Sequence, residues 1–284
     1  MSMKKMMMVC AAALCASAVF AEEKVEEIDE PEQSILDRYV DLSTELNFYS
    51  AYVWRGQILF DRPVWQPAQN IFLKFGENAE YGALKFRLWA NFAIDGNKPP
   101  HRFGGMSIVD ERVGYVKTFF DCLDFDVGAI MYQFPNRHSR GMRETDELLT
   151  GLTWRNPYIT PSFYVWWDFD SNGHNAENQL FFDFDFTHAF KLTKELSLTL
   201  GSGFGVANGS YMDHYTKGDM DGIAFNYFHN DLGLYYQLTD WLKVGGSLSY
   251  IYNLSRQVRH TSYDMHDSYN AGILRGGIHF IATW

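Results

Sequence analysis

Ile273-Leu274-Arg275-Gly276-Gly277-Ile278-His279-Phe280-Ile281-Ala282-Thr283-Trp284 closes the chain. Taken by twos, Leu274, Gly276, Ile278, Phe280, Ala282 and Trp284 form an apolar file. Arg275, Gly277, His279, Ile281 and Thr283 form a mixed one with two basic groups. Successive side chains of a strand point to opposite faces, so this is a period-2 strand with one greasy side.

The same alternation recurs upstream. Leu123, Phe125, Val127, Ala129 and Met131 alternate with Asp124, Asp126, Gly128 and Ile130. Phe182, Phe184 and Phe186 alternate with Asp183, Asp185 and Thr187, and Leu196, Leu198 and Leu200 with Ser197, Thr199 and Gly201. Twelve such segments are expected, at 43–57, 66–76, 80–94, 107–120, 122–134, 144–155, 159–170, 177–190, 194–207, 223–238, 241–254 and 272–284. No helical period competes with them.

The connections alternate in length. Gly76-Glu77-Asn78-Ala79, Asp121-Cys122, Asn156-Pro157-Tyr158, Lys191-Leu192-Thr193 and Thr239-Asp240 are short. Those around 58–65, 95–106, 135–143, 171–176, 208–222 and 255–271 are mostly longer and rich in Gly, Asn, Asp, His and Tyr. Tight turns at one end and larger loops at the other are the asymmetry of a transmembrane antiparallel β-barrel, and a soluble sandwich has no reason for it. An even strand number places both termini at the short-turn, periplasmic end. Trp54 and Trp65 are expected in one interfacial aromatic girdle, and Trp154, Tyr158, Trp241 and Trp284 in the other. The final strand, ending in Trp284, resembles the C-terminal signature that the barrel-assembly machinery reads in bacterial outer-membrane proteins.

The N-terminus supports that compartment. Lys4 and Lys5 precede an apolar run from Met6 to Phe20, and Val19-Phe20-Ala21 precedes Glu22. This reads as a secretory signal peptide over 1–21. It contains Cys10 and Cys15, so its removal leaves Cys122 and no internal disulfide is expected. Residues 22–41 read as an acidic, flexible periplasmic leader with Pro31. The barrel is then 42–284. Net charge is −11, which argues against nucleic acid as a partner. The expected partners are outer-membrane lipid and lipopolysaccharide, the assembly machinery and a small-molecule solute. No cofactor or metal is expected.

If the apolar parity faces lipid, the other faces the lumen. The first four strands and the last offer Arg55, Lys74, Lys85, Arg87, Arg112, Arg275 and His279. Strands five to eight and ten offer Asp124, Asp126, Glu147, Asp168, Asp170, Asp183, Asp185 and Asp231. First and last strands are neighbours in a closed barrel, so a continuous basic wall faces a mostly acidic one. Such a transverse field acts on dipolar and charged solutes. The rival reading is that these charges pair and only stabilise a plugged barrel. Twelve strands leave room for a narrow passage.

Ser50-Ala51-Tyr52-Val53-Trp54-Arg55-Gly56-Gln57, followed by Asp61, Pro63, Gln66 and Pro67, resembles the opening strand of the TorF-like family of outer-membrane porins. The likeness spans about 25 residues. It implies an outer-membrane barrel, a diffusion channel, and a lumen position near the mouth for Arg55. An outer-membrane hydrolase is the alternative, with Asp213–His214, His266 between Asp264 and Asp267, or His229 with Asp231 as acid–base pair. His260, Asp264, His266 and Asp267 lack the spacing that fixes a metal geometry. Gly201-Ser202-Gly203-Phe204-Gly205 lies within a strand, so close packing or lumen space explains it better than a phosphate loop.

Overall fold

The alternation closes on itself. The computed structural model describes residues 38–94, 97–98, 101–102, 105–135, 145–169, 179–215, 222–256, 258–259 and 271–284. Its strands are β1 (Val40–Tyr49), β2 (Tyr52–Trp54), β3 (Gln57–Phe60), β4 (Val64–Lys74), β5 (Ala83–Ala93), β6 (Asn97–Lys98), β7 (His101–Arg102) and β8 (Met106–Phe119). They continue with β9 (Leu123–Gln133), β10 (Thr145–Trp154), β11 (Thr160–Asp168), β12 (Gln179–Lys191), β13 (Leu196–Asn208), β14 (Ile223–Gln237), β15 (Leu242–Asn253) and β16 (Gly272–Thr283). A short helix, α1 (Gly209–Tyr215), follows β13.

Twelve of these strands form a closed antiparallel barrel in the order β1-β16-β15-β14-β13-β12-β11-β10-β9-β8-β5-β4. The seam joins β1 to β16 from Ser43↔Thr283 to Tyr49↔Gly277. Leu42 and Trp284 exchange backbone hydrogen bonds of 3.0 and 2.9 Å, so the ladder continues to the last residue. Closure leaves no strand edge unpaired, the condition for backbone to cross lipid without a helix. Among the described residues no helix is long and apolar enough to span a membrane. The expected signal peptide of 1–21 and the expected leader up to residue 37 lie outside the described residues. Cys122 is disulfide-bonded, against the expectation of no internal disulfide.

Register fixes the faces. Phe48↔Trp65 and Trp65↔Phe92 place three aromatics in one outward row, with Trp65 stacked on Phe92 at 5.1 Å and on Phe48 at 6.4 Å. Leu198↔Leu234, Leu200↔Leu232 and Leu232↔Leu248 continue an apolar band round the wall. Leu200, Leu232, Leu234 and Leu248 are open to the surroundings although they are large and apolar, which is the signature of a surface solvated by lipid. At the short-turn end Tyr158, Trp241 and Trp284 are exposed, as an interfacial girdle requires. Glu111 breaks the band, pairing with Leu88 and Met131 on the outer face; nothing in the structure explains it. Because Leu232 sits well inside β14 on this face, Leu232→Arg is expected to cost about 2–4 kcal/mol of refolding stability, as for a charge near the bilayer midplane. Denaturant titration in liposomes checks this, and an unchanged midpoint would mean the face is not in lipid.

One expectation fails in this region. The sequence suggested a single first strand over 43–57, but β1 stops at Tyr49. The next fourteen residues turn inward. β2 and β3 pair with each other, Trp54 opposite Gln57, and form a hairpin separate from the barrel sheet. The two residues between them, Arg55 and Gly56, have φ of 46° and 81°. Positive φ at both central positions is the pattern of the two-residue turn whose twist suits a hairpin. Gly is needed at the second position for space as well. A Cβ on Gly56 would come within 2.7 Å of Asn253 Oδ1 and 2.8 Å of Tyr227 Cβ. Trp54 is therefore inside the barrel, and its assignment to an outer girdle is wrong.

Candidate functional site

The inserted hairpin is held by apolar contacts on three sides. Tyr52 and Phe60 pack with Val64, Ala93 and Ile108 near β4, β5 and β8. Ile58 packs with Ile251 and Ile273 of β15 and β16. Trp54 leans on the cluster of Phe181, Ala207, Tyr211, Met212, Ala224 and Val258. The hairpin thus bridges the lumen from wall to wall beneath the long-loop end. Helix α1 supplies Tyr211 and Met212 to this core. Asn208 begins the helix, its Oδ1 accepting from Tyr211 N at 3.0 Å, an N-cap bond.

At the hairpin tip Arg55 reaches across to Glu147 of β10. Its Nη1 donates to Glu147 Oε1 at 2.6 Å and its Nη2 to Oε2 at 2.7 Å. Nη1 also donates to Tyr211 Oη at 3.0 Å, and Tyr132 Oη donates to Glu147 Oε2 at 2.8 Å. Rings of Trp54, Trp166, Phe181 and Tyr211 surround the guanidinium at 4.6–5.4 Å. Arg55 is 9% exposed and Glu147 is fully buried. A bidentate, fully hydrogen-bonded pair is the one geometry in which two buried charges recover their desolvation. Left-handed backbone on a non-glycine costs about 1–3 kcal/mol and persists only where surroundings hold it. Here the pair and the ring cage hold Arg55. The expectation that Arg55 belongs to the basic wall needs correction, because it stands on the hairpin in mid-lumen, paired with an acid.

The register places the other sequence-derived residues on the interior face, some of them engaged. Lys74 Nζ pairs with Asp41 at 2.7 Å and Arg112 with Asp126 at 2.5 Å. Arg155 pairs with Asp124 at 3.0 Å at the short-turn end. Asp168, opposite Glu147, accepts from Thr145 Oγ1 at 2.7 Å. Asp183 accepts from Tyr227 Oη at 2.8 Å. His229 lies between two acids, with Nδ1 2.6 Å from Asp231 and Nε2 2.9 Å from Asp185. The glycine run makes room for this cluster, since a Cβ on Gly203 would collide with Asp185 and His229. His279 bridges the seam, Nδ1 to Asn47 Oδ1 at 2.8 Å and Nε2 to Ser247 Oγ at 2.7 Å.

Three bases remain. Lys85, Arg87 and Arg275 form no ion pair among the described residues. Lys85 lies 5.6 Å from the Phe72 ring and Arg275 4.5 Å from that of Tyr49. They sit on β5 and β16, on either side of β4 and β1, so they belong to one stretch of wall. Asp170, His260, Asp264, His266 and Asp267 lie outside the described residues, as do the side chains of Asp213 and His214. Among the described residues no group of acidic, His and Cys side chains could hold a metal ion.

Closed ladder, lipid-facing band, aromatic girdle and polar interior are now all in place. The fold is that of an outer-membrane β-barrel. No family model matches the chain, and no curated protein matches it. Solved structures do. The outer membrane channel from Pseudomonas putida F1 aligns with TM-score 0.50 at 7% identity, over 92% of this chain and 100% of its own. The NanC porin aligns with TM-score 0.48 at 8% identity, over 85% and 98%. Outer membrane phospholipase A from Escherichia coli aligns with TM-score 0.44 at 12% identity, over 90% and 94%. Likeness at such identity concerns the fold alone.

The hairpin and its ion pair escaped sequence reasoning. The one signal present was Arg55-Gly56 between two short alternating runs, Tyr52–Trp54 and Ile58–Phe60. Glu147 was legible as lumen-facing, but a partner 92 positions earlier is not a local signal.

Proposed function

We propose that this chain is an outer-membrane channel for passive diffusion of small polar or charged solutes, narrowed toward its outer mouth by the inserted hairpin. The observation that carries the reading is the set Lys85, Arg87 and Arg275 on one interior wall, which forms no ion pair among the described residues. A barrel whose interior only stabilised itself would gain by pairing or replacing them, since an unpaired charge in a dry core is far too costly. Charges left free on an inner wall imply water beside them, and water in the lumen is a path for solutes. The likeness of residues 50–67 to the opening strand of TorF-like porins points the same way, and we place the chain with that group.

The hydrolase alternative gains nothing from the described His–Asp pair. Both ring nitrogens of His229 are taken by carboxylates, so neither faces a nucleophile whose proton it could accept. Swelling of liposomes that contain the refolded chain tests the channel. Entry of small polar solutes is expected, with slow entry of disaccharides and larger sugars. Absence of swelling with every solute would overturn the channel reading.

A further inference from the structure

Below the hairpin tip lies a cavity of about 290 Å³, lined on one side by Trp54 and Arg55 and on the others by residues of β5, β8, β9, β11 and β12. That is near the lower end of small-molecule pockets. Several charged groups on its wall are already engaged: Arg55 by Glu147, Arg112 Nη2 by Asp126, and Asp183 by Tyr227. The remainder is informative. Asp110 Oδ1, Arg112 Nε and Trp166 Nε1 are buried and have no hydrogen-bond partner among the described residues. Arg87, also on the wall, forms no ion pair there.

Arg87 and Asp110 are diagonal neighbours across the β5–β8 ladder, where Arg87 faces Arg112 and Trp89 faces Asp110. Opposite charges so placed would be expected to pair directly, yet they do not. Among the described residues neither has its complement within ion-pair distance, and they line one cavity. The complement of the pair is a single small molecule with an anionic end for Arg87 and Arg112 Nε and a cationic, hydrogen-donating end for Asp110. Three indoles, Trp54, Trp89 and Trp166, line it as well, together with Ile130 and Tyr132. Indoles offer apolar faces, and they favour a flat or apolar body between the charged ends.

We propose that this cavity binds a small zwitterion of free-amino-acid size with an apolar or aromatic side chain, its carboxylate toward Arg87 and its ammonium toward Asp110. The inference rests on the channel reading, of which it would be the solute-selective step. A diffusing solute held briefly at one site crosses selectively if binding stays weak enough to release it.

Calorimetric titration of the refolded full barrel in detergent tests it, with L-phenylalanine as the probe. Saturable one-site binding is expected. 3-Phenylpropionate, which lacks the ammonium, and phenethylamine, which lacks the carboxylate, are each expected to bind at least about tenfold more weakly, because either leaves one buried charge unpaired. Asp110→Asn should erase the preference for L-phenylalanine over 3-phenylpropionate, and Arg87→Gln the preference over phenethylamine. The heat-dependent gel shift verifies that each variant is folded, and the analogue series on the unaltered chain decides the matter even if both variants misfold. No saturable heat, or equal binding of L-phenylalanine, 3-phenylpropionate and D-glucose, overturns the proposal. Solute entry without L-phenylalanine binding would sink this inference and leave the channel standing. Binding without any solute entry would do the reverse.

Discussion

Glu147→Ala is expected to destabilise the barrel by about 3–5 kcal/mol and to raise its ionic conductance several-fold. The substitution removes both carboxylate acceptors of the Arg55 guanidinium, leaving Tyr211 Oη, and one partner of Tyr132. A buried arginine is then left without a counter-charge, and losses of that size follow from breaking a buried pair. The barrel wall keeps its ladder, so the strain falls on the hairpin. The Glu147 carboxylate is one of the contacts that hold the left-handed Arg55 backbone, and without it the tip is held in mid-lumen only by the ring cage, Tyr211 and the apolar contacts of the hairpin. Arg55→Met with Glu147→Leu separates charge from packing. Replacing both partners by apolar groups of similar size is often neutral, so that double variant should recover most of the lost stability and keep the narrow conductance. Denaturant titration and bilayer recording report the two effects independently. A Glu147→Ala barrel with unaltered stability and conductance would mean that the pair does not hold the hairpin.

Reversing the free bases should have the next largest effect. Lys85→Glu with Arg87→Glu is expected to carry the reversal potential in a salt gradient from weak anion preference to cation preference. The two residues are chosen because neither forms an ion pair among the described residues. Lys74, Arg112 and Arg155 are already neutralised by Asp41, Asp126 and Asp124. A free charge acts on a passing ion with about 4 kcal/mol at 4 Å in an intermediate dielectric, whereas a paired one presents only a dipole. The contrast comes from Lys74→Glu, which sits in a pair near the short-turn end and should move the potential much less. Equal shifts from both sites, or none from either, would contradict a selective basic wall.

The barrel was legible because its signal is repeated. Lipid on one side and water on the other force a period of two, so Leu123–Met131 and Leu196–Leu200 announce both strand and face. Most strand limits agree to within about three residues, β9 at Leu123–Gln133 against 122–134 for example. The hairpin was not legible for a physical reason. Tyr52–Trp54 alternates as well as any wall strand, and alternation does not say whether the partner is the wall or the next segment. That choice is made by the turn at Arg55-Gly56 and by contacts with Tyr211 and Val258, far along the chain. The interior was half legible. Parity assigned its residues to the lumen face, but pairing across the lumen depends on distances that parity does not contain. Arg112 could equally have met Asp124 or Asp126, and only the β8–β9 register, with Val116 opposite Asp126, gives it the latter.

Replacement of the hairpin tests the central claim most directly. Tyr49 and Val64 are register partners at the ends of β1 and β4, so a short Gly-Ser linker in place of residues 51–62 spans the gap without disturbing the wall. In planar-bilayer recording, the unaltered chain is predicted to give small, anion-preferring steps and the hairpin-less chain steps several-fold larger. A correctly folded hairpin-less barrel that conducts no better than the unaltered chain would contradict a channel narrowed by its own first loop.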